Sequence, residues 1–144
     1  PKKENLEFAL RRLSEKIRLK NVSSFYHTAP VGPNQDFFLN LATRATTDLS
    51  PEELLRFAKE IEEERGRVKG PVWGPRILDI DLLMMGSAVC KTPRLTLPHP
   101  RMTERRFVLE PLFEIAGNLF LPQGRTLLYY FNQCLEQPCE KMVF

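Results

Sequence analysis

No run of uninterrupted apolar residues in this 144-residue chain approaches the roughly 18 that a bilayer-spanning helix needs. The opening PKKENLEFAL has no apolar stretch behind its charges either, so a signal peptide is not indicated. A soluble, cytoplasmic protein without a membrane partner is expected. Cysteine is scarce: Cys90, Cys134 and Cys139 are odd in number and lack a CxxC spacing, which supports neither a disulfide framework nor a zinc site. Reduced thiols follow. Internal repeats and low-complexity tracts are missing too, and the length suits one compact domain, residues 1–144, able to bury a core without disulfides.

What is there is an uneven distribution of charge. The net charge is +3, but residues 1–66 carry eleven basic and eleven acidic side chains, and residues 107–144 carry two against four. Between Arg67 and Arg106 there are eight basic residues against three acidic ones, Asp79, Asp81 and Glu104. A local surplus of that kind suits an anionic ligand, as well as a plain solvated basic surface.

Leu6, Ala9, Leu10, Leu13 and Ile17 recur at helical spacing and predict an amphipathic helix over about 3–18. NVSSFYHT (21–28) and FFLNLATRATT (37–47) read as strands, joined by the loop APVGPNQD with its two prolines, glycine and asparagine. SPEELLRFAKEIEEERG predicts a second helix: Ser50 as N-cap, Pro51 at the first helical position, Glu53 closing a capping box, and Gly66 as terminator. A loop over 67–76 leads into a third strand, ILDIDLLM, and MGSAV turns into a short one. The proline-punctuated TPRLTLPHP follows; Thr103 is placed to cap a short helix through Phe107 and Leu109, and TLLYYFNQCLEQ (126–137) reads as a last helix. This order fits an α+β ferredoxin-like α/β sandwich with a mainly antiparallel sheet, lacking only a strand ahead of the first helix.

On the ILDIDLLM strand, side chains alternate, so Ile77, Asp79, Asp81 and Leu83 share one face and Leu78, Ile80 and Leu82 the other. Two carboxylates roughly 6–7 Å apart along one face repel each other unless water, cations or donors meet them. One reading is a solvent-exposed D-x-D face. The other is a divalent cation: Mg²⁺ takes one or two protein carboxylates and completes its shell with phosphate oxygens and water. Arg67, Lys69 and Arg76 flank the pair, and guanidinium groups clamp phosphate oxygens bidentately. Trp73, beside Gly74 and Pro75, admits two readings, an anchored core residue or the apolar cover of a closing loop. His99, between Pro98 and Pro100, suits a phosphate contact or a loop strut, and His27 a structural role. Phe38 and Asn40 share a strand face, and an aromatic beside an amide holds a flat heteroaromatic ring by stacking and paired hydrogen bonds; Phe38 alone reads as core.

Together and in this order, SSFYHTAPVG, FFLN, GRVKGPVWGPRILDIDLL and LTLPHPRMTERRFVLEPLFEIA resemble segments of the 6-hydroxymethyl-7,8-dihydropterin pyrophosphokinases of folate biosynthesis, over residues 1 to about 122. The resemblance implies Mg²⁺-dependent transfer of pyrophosphate from ATP to the hydroxymethyl oxygen of the pterin, releasing AMP, in a monomer with no nucleic-acid partner. It implies two Mg²⁺ ions held by Asp79 and Asp81, and Arg67 and Arg76 on the polyphosphate, these four forming the catalytic set. Trp73 would ride on a loop that seals the site. Arg94, Thr96 and His99 would lie on the ATP side, with Glu62 a further candidate there. Phe38 and Phe107 would sandwich the pterin, Asn40 would bond its edge, and the loop from Thr28 through Val31 and Gly32 would offer backbone groups. Two departures stand out: members of the family usually begin with a strand ending in Gly-Ser-Asn, and many carry a basic residue where Val72 stands here, after an additional Gly70-Pro71.

Two other classes compete. A ferredoxin-like nucleic-acid module uses basic and aromatic residues on a sheet, but an acid pair within that surface repels a phosphate backbone, and no GFGFV-like strand is present. A metal-dependent phosphohydrolase needs only the acid pair.

Overall fold

The computed structural model describes residues 2–28, 38–69 and 77–143, the side chains of 67–69 excepted. Helix α1 spans Lys2–Leu13, ending earlier than the apolar spacing predicts, because Glu15 and Lys16 close i→i−3 turns onto Arg12 and Leu13. Helix α2 spans Pro51–Lys69 and begins as its capping box requires: the Glu53 amide donates to Ser50 Oγ (3.2 Å) and the Ser50 amide to Glu53 Oε1 (2.9 Å). It does not stop at Gly66. A glycine inside a helix costs only about 1 kcal/mol relative to alanine, and the helix continues through it.

Each of the two runs read as one strand is divided in two. The first, 21–28, falls in β1 (Arg18–Val22), which begins three residues ahead of it, and β2 (Tyr26–Thr28); the second gives β3 (Phe38–Asn40) and β4 (Thr43–Thr46). β1 pairs antiparallel with β4, whereas β2 pairs with β3 in a separate sheet. The break lies at the facing residues Ser23 and Ala42. The buried Ser23 donates its amide to Ala42 O (2.9 Å), accepts the Ala42 amide on Oγ (2.9 Å) and donates that hydroxyl to Ser24 O (2.8 Å). A hydroxyl has replaced one ladder carbonyl, and both chains turn there from one sheet into the next.

After the turn at Gly86–Ser87, β5 (Cys90–Lys91) pairs with β6 (Thr96–Leu97). A 3₁₀ turn at Met102–Glu104 precedes α3 (Arg106–Ala116); Arg105 occupies the N-cap with no side-chain bond, so Thr103 does not cap it. The last helix is shorter than its sequence suggests: α4 spans Leu127–Phe131, capped by Thr126, after which Gln133 and Cys134 close tighter i→i−3 turns. β7 (Glu140–Lys141) then joins β2, giving the order β3-β2-β7, a pairing the tail sequence does not announce. The fold is thus α+β with antiparallel sheets. Among the described residues no helix is long and apolar enough to cross a membrane, and all three cysteines are free thiols.

Two apolar cores form. Ala9 and Leu13 of α1, Ile17, Phe57 and Ile61 of α2, and Leu78 build the first; Met102, Leu109, Leu112, Leu121, Leu127 and Cys134 build the second. A cleft of about 990 Å³ lies between them, walled by 40–47 and 78–87.

One polar cluster pins α3 to the β2 sheet. Glu114 accepts the Tyr26 hydroxyl (2.6 Å) on one carboxylate oxygen and the Ser24 amide (2.9 Å) and hydroxyl (3.0 Å) on the other. Partial burial works to raise the Glu114 pKa, but the bonds from Tyr26 and Ser24 outweigh it and hold the carboxyl below its ordinary value. Burial, then the Glu114 carboxylate, push the Tyr26 phenol upward. Glu114→Ala is expected to cost about 1–3 kcal/mol by leaving the buried Tyr26 hydroxyl without its acceptor. Because the folded pKa is the lower one, the stabilisation is complete above the unfolded value of about 4.3 and fades as pH falls below it. Thermal melts of wild type and Glu114→Ala at neutral and acid pH check this: the gap between the two narrows in acid.

Candidate functional site

The acid pair is where its alternation places it, though not on a strand. Residues 78–85 form no ladder with any described strand, so the ILDIDLLM strand is absent as an element. The segment is held by other groups instead. Asn5 Nδ2 donates to Ile77 O (3.4 Å), the Ile80 amide to Glu62 Oε2 (2.6 Å), and the His99 amide to Leu83 O (2.8 Å). Inward, Leu78 and Ile80 join the first core, and Leu83 and Met84 the second; outward, Asp79 and Asp81 are exposed. Over 77–81 the two-residue alternation survives without the ladder because apolar burial alone selects it; it ends at Leu83, expected on the acid face, whose side chain packs into the second core instead.

His99 stands beside this pair. Its Nδ1 accepts the Arg101 amide (3.2 Å), which leaves the proton of a neutral ring on Nε2. Partial burial lowers its pKa; the Asp81 charge opposes this, and Arg105 and Arg101 reinforce it. A neutral imidazole donor therefore shares its surroundings with one carboxylate and two guanidinium groups. Arg105 also lies over the Phe107 ring, 5.6 Å from its centroid. Sequence reasoning counted Arg105 only as part of the basic stretch. Its position two residues before Phe107 was the available signal.

Thr28, Phe38, Asn40 and Phe107 are brought together along the β2–β3 pair, with Asn40 linking Thr28 to Phe107. Thr28 pairs with Phe38 across the ladder, Phe38 is 65% exposed, and Asn40 reaches from β3 to α3. That reach has a sequence cause. Pro111, inside α3, has no N–H, so the carbonyl of Phe107 four residues earlier lacks its helical donor. Asn40 Nδ2 supplies one at 2.7 Å, while Asn40 Oδ1 accepts from Thr28 Oγ1 at 3.3 Å. The amide is fixed in orientation, and among the described residues one N–H and one oxygen lone pair remain for a ligand edge. Phe38, which alone reads as core, is instead exposed.

Arg94 and Thr96 sit farther along. Arg94 is exposed in the turn before β6 and lines a second cleft of about 290 Å³ with Glu52, Leu55, Arg56 and Lys59 of α2. Thr96 pairs with Lys91. Glu62 bridges the regions, its Oε1 3.4 Å from Lys59 Nζ and its Oε2 on the Ile80 amide. Val31, Gly32, Trp73 and Arg76, with the Gly70-Pro71-Val72 stretch, lie outside the described residues, as does the side chain of Arg67.

Among the described residues no three His, Cys, Asp or Glu side chains converge as a closed metal cage. Two exposed carboxylates on one face suit a hard cation that draws its other ligands from phosphate and water. The donor set fits Mg²⁺.

A family model described as 7,8-dihydro-6-hydroxymethylpterin-pyrophosphokinase matches residues 1–117. A 2-amino-4-hydroxy-6-hydroxymethyldihydropteridine pyrophosphokinase of Haemophilus influenzae is 39% identical over 142 residues, covering 96% of this chain and 89% of that protein. Its counterpart from Pseudomonas aeruginosa is 42% identical over 135 residues, covering 93% and 83%. A folic acid synthesis protein of Dictyostelium discoideum is 40% identical over 120 residues, 83% of this chain but only 18% of that one.

Proposed function

The chain belongs to the 7,8-dihydro-6-hydroxymethylpterin-pyrophosphokinase family and is an enzyme of that type, and from that premise we propose the reaction and the roles of its residues. The reaction is transfer of the pyrophosphoryl group of ATP to 6-hydroxymethyl-7,8-dihydropterin, giving AMP and the pterin diphosphate for folate synthesis. The observation that carries this reading is the outward pair Asp79 and Asp81 beside His99, joined by the same helix α3 region to an exposed Phe38 and an oriented Asn40.

Asp79 and Asp81 hold Mg²⁺, which when bound neutralises phosphate charge and screens one carboxylate from the other. The His99 Nε2–H donates to a phosphate oxygen. Arg67 and Arg76 clamp the polyphosphate and, with Arg94 and Thr96, orient the nucleotide; Trp73 covers it. Phe38 and Phe107 stack on the pterin, Asn40 and Thr28 bond its edge, and the Val31–Gly32 backbone completes that edge. Phosphoryl-type transfer needs alignment and charge neutralisation more than a strong base, which is why no nucleophilic side chain is required.

The deciding assay follows AMP from ATP and Mg²⁺ with and without the hydroxymethyl pterin. AMP that accumulates only with pterin, one for each pterin diphosphate, supports the proposal; inorganic phosphate released without pterin means a phosphohydrolase instead. Phe38→Ala is expected to raise KM for the pterin about tenfold with the melting temperature unmoved, since the ring is exposed. Steady-state kinetics beside a thermal melt measure both.

A further inference from the structure

We infer that Glu62 is a positioning residue that fixes the geometry of the acid pair through the backbone and does not itself bind the nucleotide. This rests on the proposed role of Asp79 and Asp81. The peptide joining Asp79 to Ile80 sets the angle between the two carboxylates, and its N–H is the group that Glu62 holds, at 2.6 Å. In an ordinary strand a neighbouring ladder would fix that peptide plane. Here none of the described strands pairs with 78–85, so side chains replace the ladder.

Three features make Glu62 suited to this task. Its side chain is 12% exposed, so solvent competes weakly for the bond. The acceptor is a carboxylate, and a charge-assisted bond to an amide is about twice as strong as a neutral one. The residue sits on α2 one position after Ile61, a fully buried anchor of the first core, so its own backbone is fixed. A second brace acts upstream. Arg65 Nε donates to Oδ1 of the buried Asn5 (2.7 Å), and Asn5 Nδ2 donates to Ile77 O (3.4 Å). Glu62 is the nearer brace and the shorter bond. Its other oxygen faces Lys59, so neither oxygen is turned toward a ligand without a partner already in place.

The experiment compares Glu62→Ala, Glu62→Gln and Asp79→Ala with wild type by amide hydrogen exchange in the ligand-free protein and by kinetics in ATP and pterin. Glutamine keeps an oxygen for the Ile80 amide and discards the charge. In Glu62→Ala the Ile80 amide is expected to exchange about tenfold faster, with amides of α3 unchanged. Its kcat is expected to fall about 10–100-fold, with KM for ATP within a factor of about two. Glu62→Gln is expected to restore the Ile80 protection and most of the lost kcat. An Ile80 amide indifferent to Glu62→Ala overturns the inference, as does a Glu62→Gln variant that matches Glu62→Ala in rate and raises KM for ATP. Should Glu62→Ala not fold, Glu62→Gln against wild type still decides through the same amide. Full activity in Asp79→Ala sinks the acid-pair reading instead, and Ile80 exchange still reports whether the brace exists.

Discussion

Asp79→Ala and Asp81→Ala are each expected to reduce the rate of AMP formation by about 10²–10³-fold or more while leaving the melting temperature close to that of wild type. The separation of effects follows from placement. Both carboxylates are exposed and belong to neither apolar core, so their removal deletes no core packing. It does delete the hard oxygen donors on which the proposed Mg²⁺ site depends. Asparagine at either position keeps the shape but removes the charge, and a similar loss is expected. Initial rates over a Mg²⁺ titration, run beside circular-dichroism melts, check the pair of statements; a wild-type rate in either alanine variant contradicts the assignment.

The second large effect concerns Arg76→Ala. A guanidinium that meets charge moving between phosphate groups strengthens its contact as the reaction proceeds, so kcat is expected to fall about 10²-fold or more with a much smaller loss of ATP affinity. A contact equally strong before and during transfer would lower affinity by the same factor as the overall rate constant. Single-turnover rates together with equilibrium binding of a non-hydrolysable ATP analogue separate these outcomes.

How far these features were legible from residues alone depended on the range of the interaction. Helix α2 begins as read because the Ser50–Glu53 box is chemistry among four neighbouring residues. Its end was misread because Gly66 permits a stop without requiring one, and the chain continues to Lys69. The facing of 77–81 was legible because alternation depends only on which side chains seek a core, whereas Leu83, expected beside the acids, packs into a second core built from later parts of the chain. Its bonding was not, since Asn5, Glu62 and His99 come from remote parts of the chain. For the same reason the exchange of sheets at Ser23 and Ala42, and the addition of β7 to β2, had no local signature. Phe38 and Asn40 were paired by their shared strand face, Phe107 and Thr28 were added by family resemblance, and the structure brings the four to one place. What the sequence did hold, unread, was Pro111: a proline four residues after Phe107 marks a carbonyl in need of a donor, and Asn40 is that donor.

The acid-bearing segment is fastened in two different interiors, Leu78 and Ile80 in one and Leu83 and Met84 in the other. Independent loosening of either half, a motion below global unfolding, therefore pulls one end of the segment away while the other stays. Enzymatic rate on warming then reports the weaker half of the molecule and declines before bulk helical signal does. Stabilising substitutions confined to the sturdier half would lengthen the life of the fold without lengthening the life of the catalyst.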